Sequence, residues 1–376
     1  MPRGPSKREE RVARDSAIFE HVRTAVTDER ERRDVRVTRS VSLAHARDTL
    51  YLEQVEDICK RVFKDKIVAS GYALKKPSTK VERHLHLILS DLHFQSLLDG
   101  RETPYKYGSV EEARRLAQVV KTTAEYKLQY RAETTLNVSI IGDIIQNHLH
   151  DLRDGAPLAE QVAAAIWLLT QAISFLASAF PRLVVRCTPG NHGRDTSRHL
   201  DRATHQKWDS IENMVYFALK VACVSLKNVK FEIPYQPYIS YECFGYHFFG
   251  THGDTVLKVG YPGSRIDVGA VEKAVNRINA AALHQHGWKY DVFFIGHVHI
   301  GTAIRLPNRS KVFTNGALVP PDEFAVHIGA IEADCGQTLW ESVKGHPVGD
   351  YRFIEVSEQT DKDTSLDRII KPFKGF

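Results

Sequence analysis

The sequence predicts a layered α/β protein, and three observations lead to that expectation. Short apolar runs alternate with longer segments in which apolar residues recur at helical spacing. Five of the apolar runs end on residues that can bind a metal ion. With 43% hydrophobic and 26% charged residues, the composition is that of an ordinary folded protein with a sizeable core. Together these features favour a sheet covered by helices, with a site where the strands end.

The predicted elements can be placed along the chain. Strands are expected at 85–89, 136–141, 183–187, 246–250 and 292–295, with later strands of the same body at 312–316 and 351–355. Helices are expected at 111–130, 158–180, 209–226 and 267–285. Segment 158–180 is apolar enough to raise the question of a membrane span. Because it lies between two predicted strands, we expect a buried crossover helix instead.

A separate, mostly helical N-terminal region is predicted for residues 1–80, and a catalytic domain for residues 81–376. The first forty residues are dense in charges of both signs. Two interpretations stay open for them: a solvated helix or arm, and an extension whose arginines contact nucleic-acid phosphates. Apolar residues at helical spacing predict an amphipathic helix from Thr49 to Lys64.

Charge, cysteine content and the start of the chain narrow the cellular setting. The formal net charge of +5 is compatible with a polyanionic partner but does not require one. The 5 cysteines show no paired spacing, which argues against a disulfide framework and favours a reducing compartment. The chain begins with charged rather than apolar sequence, so we expect no secretory signal, no membrane association and a cytoplasmic location.

The polar residues that end the five runs are the most informative pattern. They are Asp91-Leu92-His93, Gly142-Asp143, Gly190-Asn191-His192, Thr251-His252-Gly253-Asp254 and Gly296-His297-Val298-His299. Since the carboxyl ends of strands meet at one edge of an α/β sheet, we expect these residues to gather there. Asp91 and His93 are two residues apart, as are His297 and His299. In extended backbone this spacing would place both side chains of a pair on the same side of the chain, so that each pair can chelate a metal ion.

The chemistry of these side chains predicts which metal they bind. Carboxylates, imidazoles and one amide oxygen, without thiolate, suit Mn²⁺, Fe or Zn²⁺ and disfavour an all-oxygen Mg²⁺ or Ca²⁺ site. Two cations about 3.5–4 Å apart need a shared carboxylate to offset their repulsion, and they can activate water towards a phosphate ester. We therefore predict two divalent metal ions, with Mn²⁺ as the first choice.

The order, spacing and strand context of the motifs resemble the signature of the calcineurin-like metallophosphoesterase superfamily, over residues 84 to 316. The resemblance implies an α/β/β/α sandwich and phosphoester hydrolysis by a hydroxide that bridges the metals, without a covalent enzyme intermediate. The implied ligands of the first metal are Asp91, His93, Asp143 and His299. Those of the second are Asp143, Asn191, His252 and His297. His192 is implied to contact the scissile phosphate and assist the leaving oxygen, which fits the chemistry of an imidazole.

The chain departs from the family pattern at two places. Gly-Asn-His is followed by Gly193-Arg194 rather than by an acid. Without that acid we expect His192 to be less firmly oriented. Two roles stay open for Arg194: a clamp on the substrate phosphate, and a partner in a surface ion pair. After Asp143, the sequence Ile144-Ile145-Gln146-Asn147 replaces the Asp-Arg-Gly of protein serine/threonine phosphatases. This replacement disfavours a protein phosphatase. The polar residues that follow the strand, Asn147, His148 and His150, form a pattern more similar to the DNA repair exonuclease branch.

Further residues are candidates for substrate contact or support. His148, His150 and Lys258, with Arg265, could contact substrate, although a plain surface role is the alternative for each. Glycines in segment 258–265 would allow a bulky substrate to approach. The Asn315-Gly316 pair resembles the family's closing strand beneath the metals and is given a supporting role.

Three functions stay open at this stage. The first is a phosphodiesterase acting on DNA, either a nuclease or a repair exonuclease, and the second is a hydrolase of small or cyclic phosphoesters. The third is a catalytically silent, polymerase-associated binding subunit, which the intact ligand set disfavours. DNA is the expected partner, a homodimer is left open, and a partner ATPase does not follow from this chain.

Overall fold

Two β-sheets packed face to face form the centre of the computed structural model. The structure describes residues 82–101, 103–147, 155–194, 207, 209–257, 266–322, 325–326 and 334–375. All of them belong to one structural unit, 58–376. The predicted N-terminal helical region, including the helix from Thr49 to Lys64, lies outside the described residues.

The two sheets contain eleven of the thirteen strands in the described part of the chain. The strands are β1 (Arg83–Leu89), β2 (Leu98–Asp99), β3 (Lys106–Tyr107), β4 (Thr134–Ile140), β5 (Arg182–Cys187), β6 (Val229–Glu232), β7 (Tyr238–Cys243), β8 (Tyr246–Thr251), β9 (Val292–Ile295), β10 (Thr302–Arg305), β11 (Lys311–Thr314), β12 (Gly336–Val343) and β13 (Tyr351–Glu355). The first sheet has the order β13-β12-β1-β4-β5-β6, and the second β10-β11-β9-β8-β7. Strands β2 and β3 form a small separate ladder.

Parallel pairing in the first sheet explains the helices between its strands. The helices are α1 (Ser109–Glu125), α2 (Leu158–Ala179), α3 (Ile211–Ala222), α4 (Val268–His286) and α5 (Glu358–Lys362), with 3₁₀ helices at Leu128–Glu133 and Thr364–Arg368. Strands β1, β4, β5 and β6 run parallel to one another. Since parallel neighbours require a crossover, α1, α2 and α3 each connect one pair of these strands.

One apolar core lies between the two sheets. Ile88 and Trp340 from the first sheet pack there against Phe248 and Phe294 from the second. Helix α4 covers the other face of the second sheet through the apolar cluster that includes Val271 and Val275. The layers are therefore helices, sheet, sheet and helix, which confirms the predicted α/β/β/α sandwich.

Helix α2 is the one helix in the described ranges that is long and apolar enough to cross a membrane, and 89% of its most apolar window is buried in the fold. It lies between α1 and α3. The C-terminal segment also covers it, since Trp167 Nε1 donates to the Lys371 carbonyl at 2.9 Å and Lys371 N donates to Gln171 Oε1 at 2.9 Å. These contacts agree with the predicted buried crossover helix.

Tertiary contacts also correct part of the predicted layout. Both strands predicted at 312–316 and 351–355 are present, as β11 and β13, although they belong to different sheets. Strand β12 was not predicted because its sequence is largely polar, although Gln337, Thr338 and Ser342 are fully buried within it. The helix predicted to reach residue 130 ends at Glu125, since Lys127 adopts a left-handed backbone with φ of 42°.

The inter-sheet core contains a buried histidine that is fully partnered. His86 is 1% exposed, its Nδ1 lies 2.8 Å from the Tyr241 hydroxyl, and its Nε2 lies 3.0 Å from Ser342 Oγ. Its ring stacks on Trp340 with centroids 4.8 Å apart. Burial lowers the pKa of His86 well below 6.5, and the positive charges of His84 and Arg186 add to the effect.

We expect this histidine to make the fold sensitive to acid. Below pH 6.5 the unfolded chain takes up a proton at His86 that the folded chain does not, so the free energy of unfolding falls as the pH falls, by up to about 1.4 kcal/mol per pH unit. Urea denaturation between about pH 7.5 and pH 5.5 should show a shallower dependence for His86→Gln than for the wild type. Glutamine can hydrogen-bond there without titrating, and equal slopes would contradict the prediction.

Candidate metal centre

The seven predicted metal ligands follow strands whose carboxyl ends are aligned. In the first sheet, Leu89, Ile140 and Cys187 lie side by side in register. In the second sheet, Thr251 pairs with Ile295. The ligands come one to four residues after these positions, so parallel register brings all of them to one edge of the sandwich.

Among the described residues, three groups of side chains have ligand atoms that all lie within 4.8 Å of one another. The groups are Asp91 with His93 and His299, His93 with Asp143 and His192, and Asp143 with His252 and His297. Since the groups share His93 and Asp143, they form one continuous cluster rather than three separate sites.

Tight turns, rather than extended backbone, direct the ligand side chains into this cluster. Five of the predicted ligands have a left-handed backbone: Asp91 (φ 53°), His93 (φ 43°), Asp143 (φ 51°), His297 (φ 72°) and His299 (φ 56°). The expectation that Asp91-Leu92-His93 and His297-Val298-His299 are extended segments was therefore wrong. A non-glycine residue in such a strained conformation costs on the order of 1–3 kcal/mol and persists where the surrounding structure enforces it.

The loops after β4 and β5 touch backbone to backbone. A Cβ at Gly142, whose φ is +89°, would lie 2.2 Å from the Gly190 nitrogen. A Cβ at Gly190 would lie 2.1 Å from Asp143 Oδ1. Both positions therefore require glycine, and this close approach brings Asp143 next to the Asn191-His192 segment.

Asp143 lies at the middle of the cluster. Its Oδ1 accepts a hydrogen bond from His192 N at 2.8 Å, and its Oδ2 lies 2.9 Å from His252 Nε2. Burial alone would raise the pKa of Asp143, but the positive charges of His252 and His192 hold it well below its usual range. Burial likewise opposes the charge on His252, yet Asp143 raises the pKa of His252 to about 10. A cation between these two groups would replace that proton.

Asp91 is held by a second set of contacts. Ser90 Oγ donates to Asp91 Oδ2 at 2.5 Å, and His297 N donates to both carboxylate oxygens at 3.0 Å. His299 Nε2 lies 3.3 Å from Asp91 Oδ1. Asn315 Nδ2 donates to Ser90 Oγ at 2.9 Å, so Asn315 lies behind Asp91, where the sequence predicted a supporting role.

His93 gives the clearest sign that the cluster is suited to a metal ion. Both of its ring nitrogens are buried and have no hydrogen-bond partner among the described residues. Its ring lies 4.6 Å from that of His192 and 5.3 Å from that of His299. Burial first, and then the charge of His192, lower its pKa well below 6.5. A neutral imidazole with unsatisfied nitrogens in a cluster of carboxylates fits a divalent metal ion.

His192 lies inside the cluster rather than at its rim. Its Nδ1 is 2.6 Å from the Gln146 carbonyl, which can only accept, so Nδ1 carries a hydrogen and Nε2 is directed the other way. Nε2 lies 3.9 Å from Asp143 Oδ2. The orientation of His192 therefore comes from a main-chain carbonyl, without an acidic residue at position 193.

Other polar residues that follow the strands are placed differently. Asn147 Nδ2 donates to the carbonyls of His192 (2.5 Å) and Arg194 (2.8 Å), so Asn147 braces the loop after β5 from within. Arg194 is half-buried at the end of that loop. Asp254, which was given no role, pairs with Lys207 at 2.5 Å. Three further candidates, His148, His150 and Lys258, lie outside the described residues, as does Arg265.

A group of side chains that the sequence pattern did not reveal holds the ligand loops from the helix side. Glu112, in the first turn of α1, accepts hydrogen bonds from Gln95 N at 2.7 Å and from Gln95 Nε2 at 2.5 Å. Gln161, in the first turn of α2, accepts from Asn147 N at 2.6 Å. Burial raises the pKa of Glu112 to about 7.

Glu212, in the first turn of α3, also holds ligand loops through hydrogen bonds, and it holds two of them at once. It accepts from Ile144 N and from Gly190 N, each at 2.7 Å. Burial, together with the nearby charge of Asp143, raises the pKa of Glu212 to about 7. No local signal reveals such residues, because an acid in the first turn of a helix is common for the helix dipole alone.

Comparison with known proteins gives distant structural neighbours. Neither protein-family models nor curated proteins give a significant match to the sequence. An archaeal phosphodiesterase has 14% identity and a TM-score of 0.34, covering 72% of this chain and 99% of that one. A metallophosphoesterase from Sphaerobacter thermophilus has 12% identity and a TM-score of 0.29, with coverage of 76% and 100%. The NAD nucleotidase of Haemophilus influenzae has 13% identity and a TM-score of 0.29, with coverage of 78% and 57%. Metallophosphoesterases are thus among the structural neighbours of this chain.

Proposed function

We propose that this chain is a metal-dependent phosphoesterase of the calcineurin-like kind, acting as a phosphodiesterase on DNA. The observation that carries the phosphoesterase proposal is the single cluster formed by Asp91, His93, Asp143, His252, His297 and His299. Phosphoester hydrolysis needs an activated water and a strong positive field beside the phosphate, and a dinuclear site of this composition can supply both.

The donor set is suited to two divalent cations. Asp91, His93 and His299 would hold one of them, and His252 and His297 the other, with Asp143 between the two. Asn191, whose Oδ1 lies 3.1 Å from His252 Nε2, would join the second group. When bound, the two cations would activate water and offset the charge on the phosphate. We propose Mn²⁺ as the bound metal, because borderline and hard donors are mixed and no cysteine takes part.

His192 is proposed to act on the phosphate itself. Because Nδ1 donates to the Gln146 carbonyl, Nε2 is the atom that faces the cluster. A protonated Nε2 can hydrogen-bond to a phosphate oxygen and pass its proton to the leaving oxygen. The rigid loops keep this nitrogen in place, which lowers the reorganisation needed during the reaction.

DNA as the substrate is supported by charge and by motif. The net charge is +5, and the N-terminal forty residues are rich in arginine. The continuation after Asp143 is similar to that of the DNA repair exonuclease branch. The second candidate, hydrolysis of small or cyclic phosphoesters, would use the same ligands, so the substrate has to be tested directly.

The test compares a chromogenic diester with DNA. The Mn²⁺-loaded protein is expected to hydrolyse bis-p-nitrophenyl phosphate and to cleave single- or double-stranded DNA, and removal of the metal by a chelator should stop both reactions. A matched preparation of Asp91→Asn controls for contaminating nucleases, since a weakened metal site should lose both activities together.

Each outcome separates the alternatives. Hydrolysis of the diester without cleavage of either form of DNA would reject the DNA proposal and favour a small phosphoester. Bound metal without hydrolysis of any phosphoester would reject the enzyme and favour a binding subunit. Equal nuclease activity in the Asp91→Asn preparation would assign the cleavage to a contaminant.

A further inference from the structure

Glu212 is a fully buried carboxylate although it lies in the first turn of α3. Each of its two oxygens accepts one backbone hydrogen bond, Oε1 from Ile144 N and Oε2 from Gly190 N, both at 2.7 Å. The two donors belong to different loops, one after β4 and one after β5. A single side chain therefore links two strand ends that are far apart in the sequence.

Both donors are directly next to predicted metal ligands. Ile144 follows Asp143, and Gly190 precedes Asn191. The buried N–H groups at these positions need an acceptor, because an unsatisfied buried donor costs about 1–3 kcal/mol. By accepting from both, the carboxylate links the loop that carries Asp143 to the loop that carries Asn191 and His192.

The start of α3 is itself fixed to the ligand loop. Ile211 N donates to the Gly193 carbonyl at 2.8 Å, and Ser210 Oγ donates to the same carbonyl at 3.1 Å. Ser210 Oγ also accepts from Glu212 N at 3.2 Å and so caps the helix. Glu212 thus reaches the loops from a helix end that cannot shift independently of them.

Position 193 has no room for a side chain of its own. A Cβ at Gly193 would lie 2.4 Å from Ser210 Oγ and 2.5 Å from Glu212 Cγ. This is the position at which the sequence resemblance leads one to expect an acid. In this chain the side chain of Glu212 occupies that space.

We infer that Glu212 is a positioning residue that sets the spacing between the loop carrying Asp143 and the loop carrying Asn191 and His192, in place of an acid at position 193. The inference rests on the proposed function only for its effect on turnover. Its effect on the geometry of the ligands, and so on metal affinity, is independent of the substrate.

The variant Glu212→Gln tests the acceptor role with little change in shape. Glutamine offers one acceptor oxygen, so one of the two N–H groups would face an amide NH₂ that can only donate. We expect Mn²⁺ affinity to fall by about 10- to 100-fold, as for other residues that orient metal ligands. The electron paramagnetic resonance signal of a coupled Mn²⁺ pair should be lost at metal concentrations that saturate the wild type.

Glu341→Gln serves as the matched control. Glu341 is also a buried carboxylate, but it pairs with Arg83 and Lys127 near the amino end of β1, away from the ligands. The variant Glu341→Gln should have a lower melting temperature than the wild type, with unchanged Mn²⁺ affinity and an unchanged signal of the coupled Mn²⁺ pair. An unchanged affinity and signal in Glu212→Gln would overturn the inference, and so would equal losses in both variants.

A measurement on the wild type covers the case in which Glu212→Gln does not fold. The amide protons of Ile144 and Gly190 are expected to exchange slowly with solvent, and fast exchange at either one would overturn the inference. The two proposals are also separable. If the wild type hydrolyses no phosphoester while Glu212→Gln loses Mn²⁺ affinity, the positioning role stands and the proposed function fails.

Discussion

Replacing Asp143 by asparagine is expected to abolish turnover and to reduce the bound metal from two ions per chain to one or fewer. Asp143 is the carboxylate between His192 and His252, and its ligand atom belongs to two of the three groups in the cluster. A neutral amide cannot offset the repulsion of two adjacent cations. We expect a loss of at least about three orders of magnitude in kcat, which corresponds to several kcal/mol.

Metal content after dialysis and hydrolysis of bis-p-nitrophenyl phosphate provide the two measurements. Asp291→Asn is a suitable control, because Asp291 directly precedes β9 and its carboxylate accepts from His247 N at 2.9 Å, a bond that asparagine can keep. The control should retain both ions and full activity. Two ions per chain in Asp143→Asn would refute the bridging role.

The variant His192→Ala is expected to keep its metal and lose most of its activity. General acid–base groups contribute about 10²- to 10⁴-fold, so kcat should fall by that amount. The geometry makes this variant informative, because Nε2 lies near enough to the ligand atoms of His93 and Asp143 to serve as a ligand itself. Metal content and kcat, measured on the same samples, separate the two roles.

The control for this variant is His284→Ala, which removes an exposed imidazole on α4 and should change neither quantity. Loss of metal in His192→Ala, with turnover retained at saturating Mn²⁺, would show that His192 is a ligand rather than a catalytic group.

Much of the fold could be predicted because it is encoded locally. An apolar run followed by Asp91 or Asp143 indicates a buried strand and the turn after it within a few residues, and helix α2 is recognisable by its length and composition alone. Strand β12 could not be predicted in this way. Its buried Gln337 and Ser342 look like surface residues until the partners that satisfy them are known.

The arrangement of the site depended more strongly on the tertiary structure. The left-handed turns at Asp91 and His297 re-aim side chains that an extended chain would direct elsewhere. The bond between Ile144 N and Glu212 joins residues 68 positions apart. Periodicity and spacing report only on near neighbours, so they contain no information about such a contact.

The sequence by itself determined the alternation of strands and helices, and it identified the side chains that are candidates to bind metal at the strand ends. The tertiary structure decided which sheet each strand joins, how far apart the ligand atoms lie, and that Glu112, Gln161 and Glu212 hold the loops. The physical reason is one of range. Residue type and spacing influence the conformation of only a few neighbouring residues. The distances within the site arise instead from hydrogen bonds and close packing between segments that only the completed fold brings together.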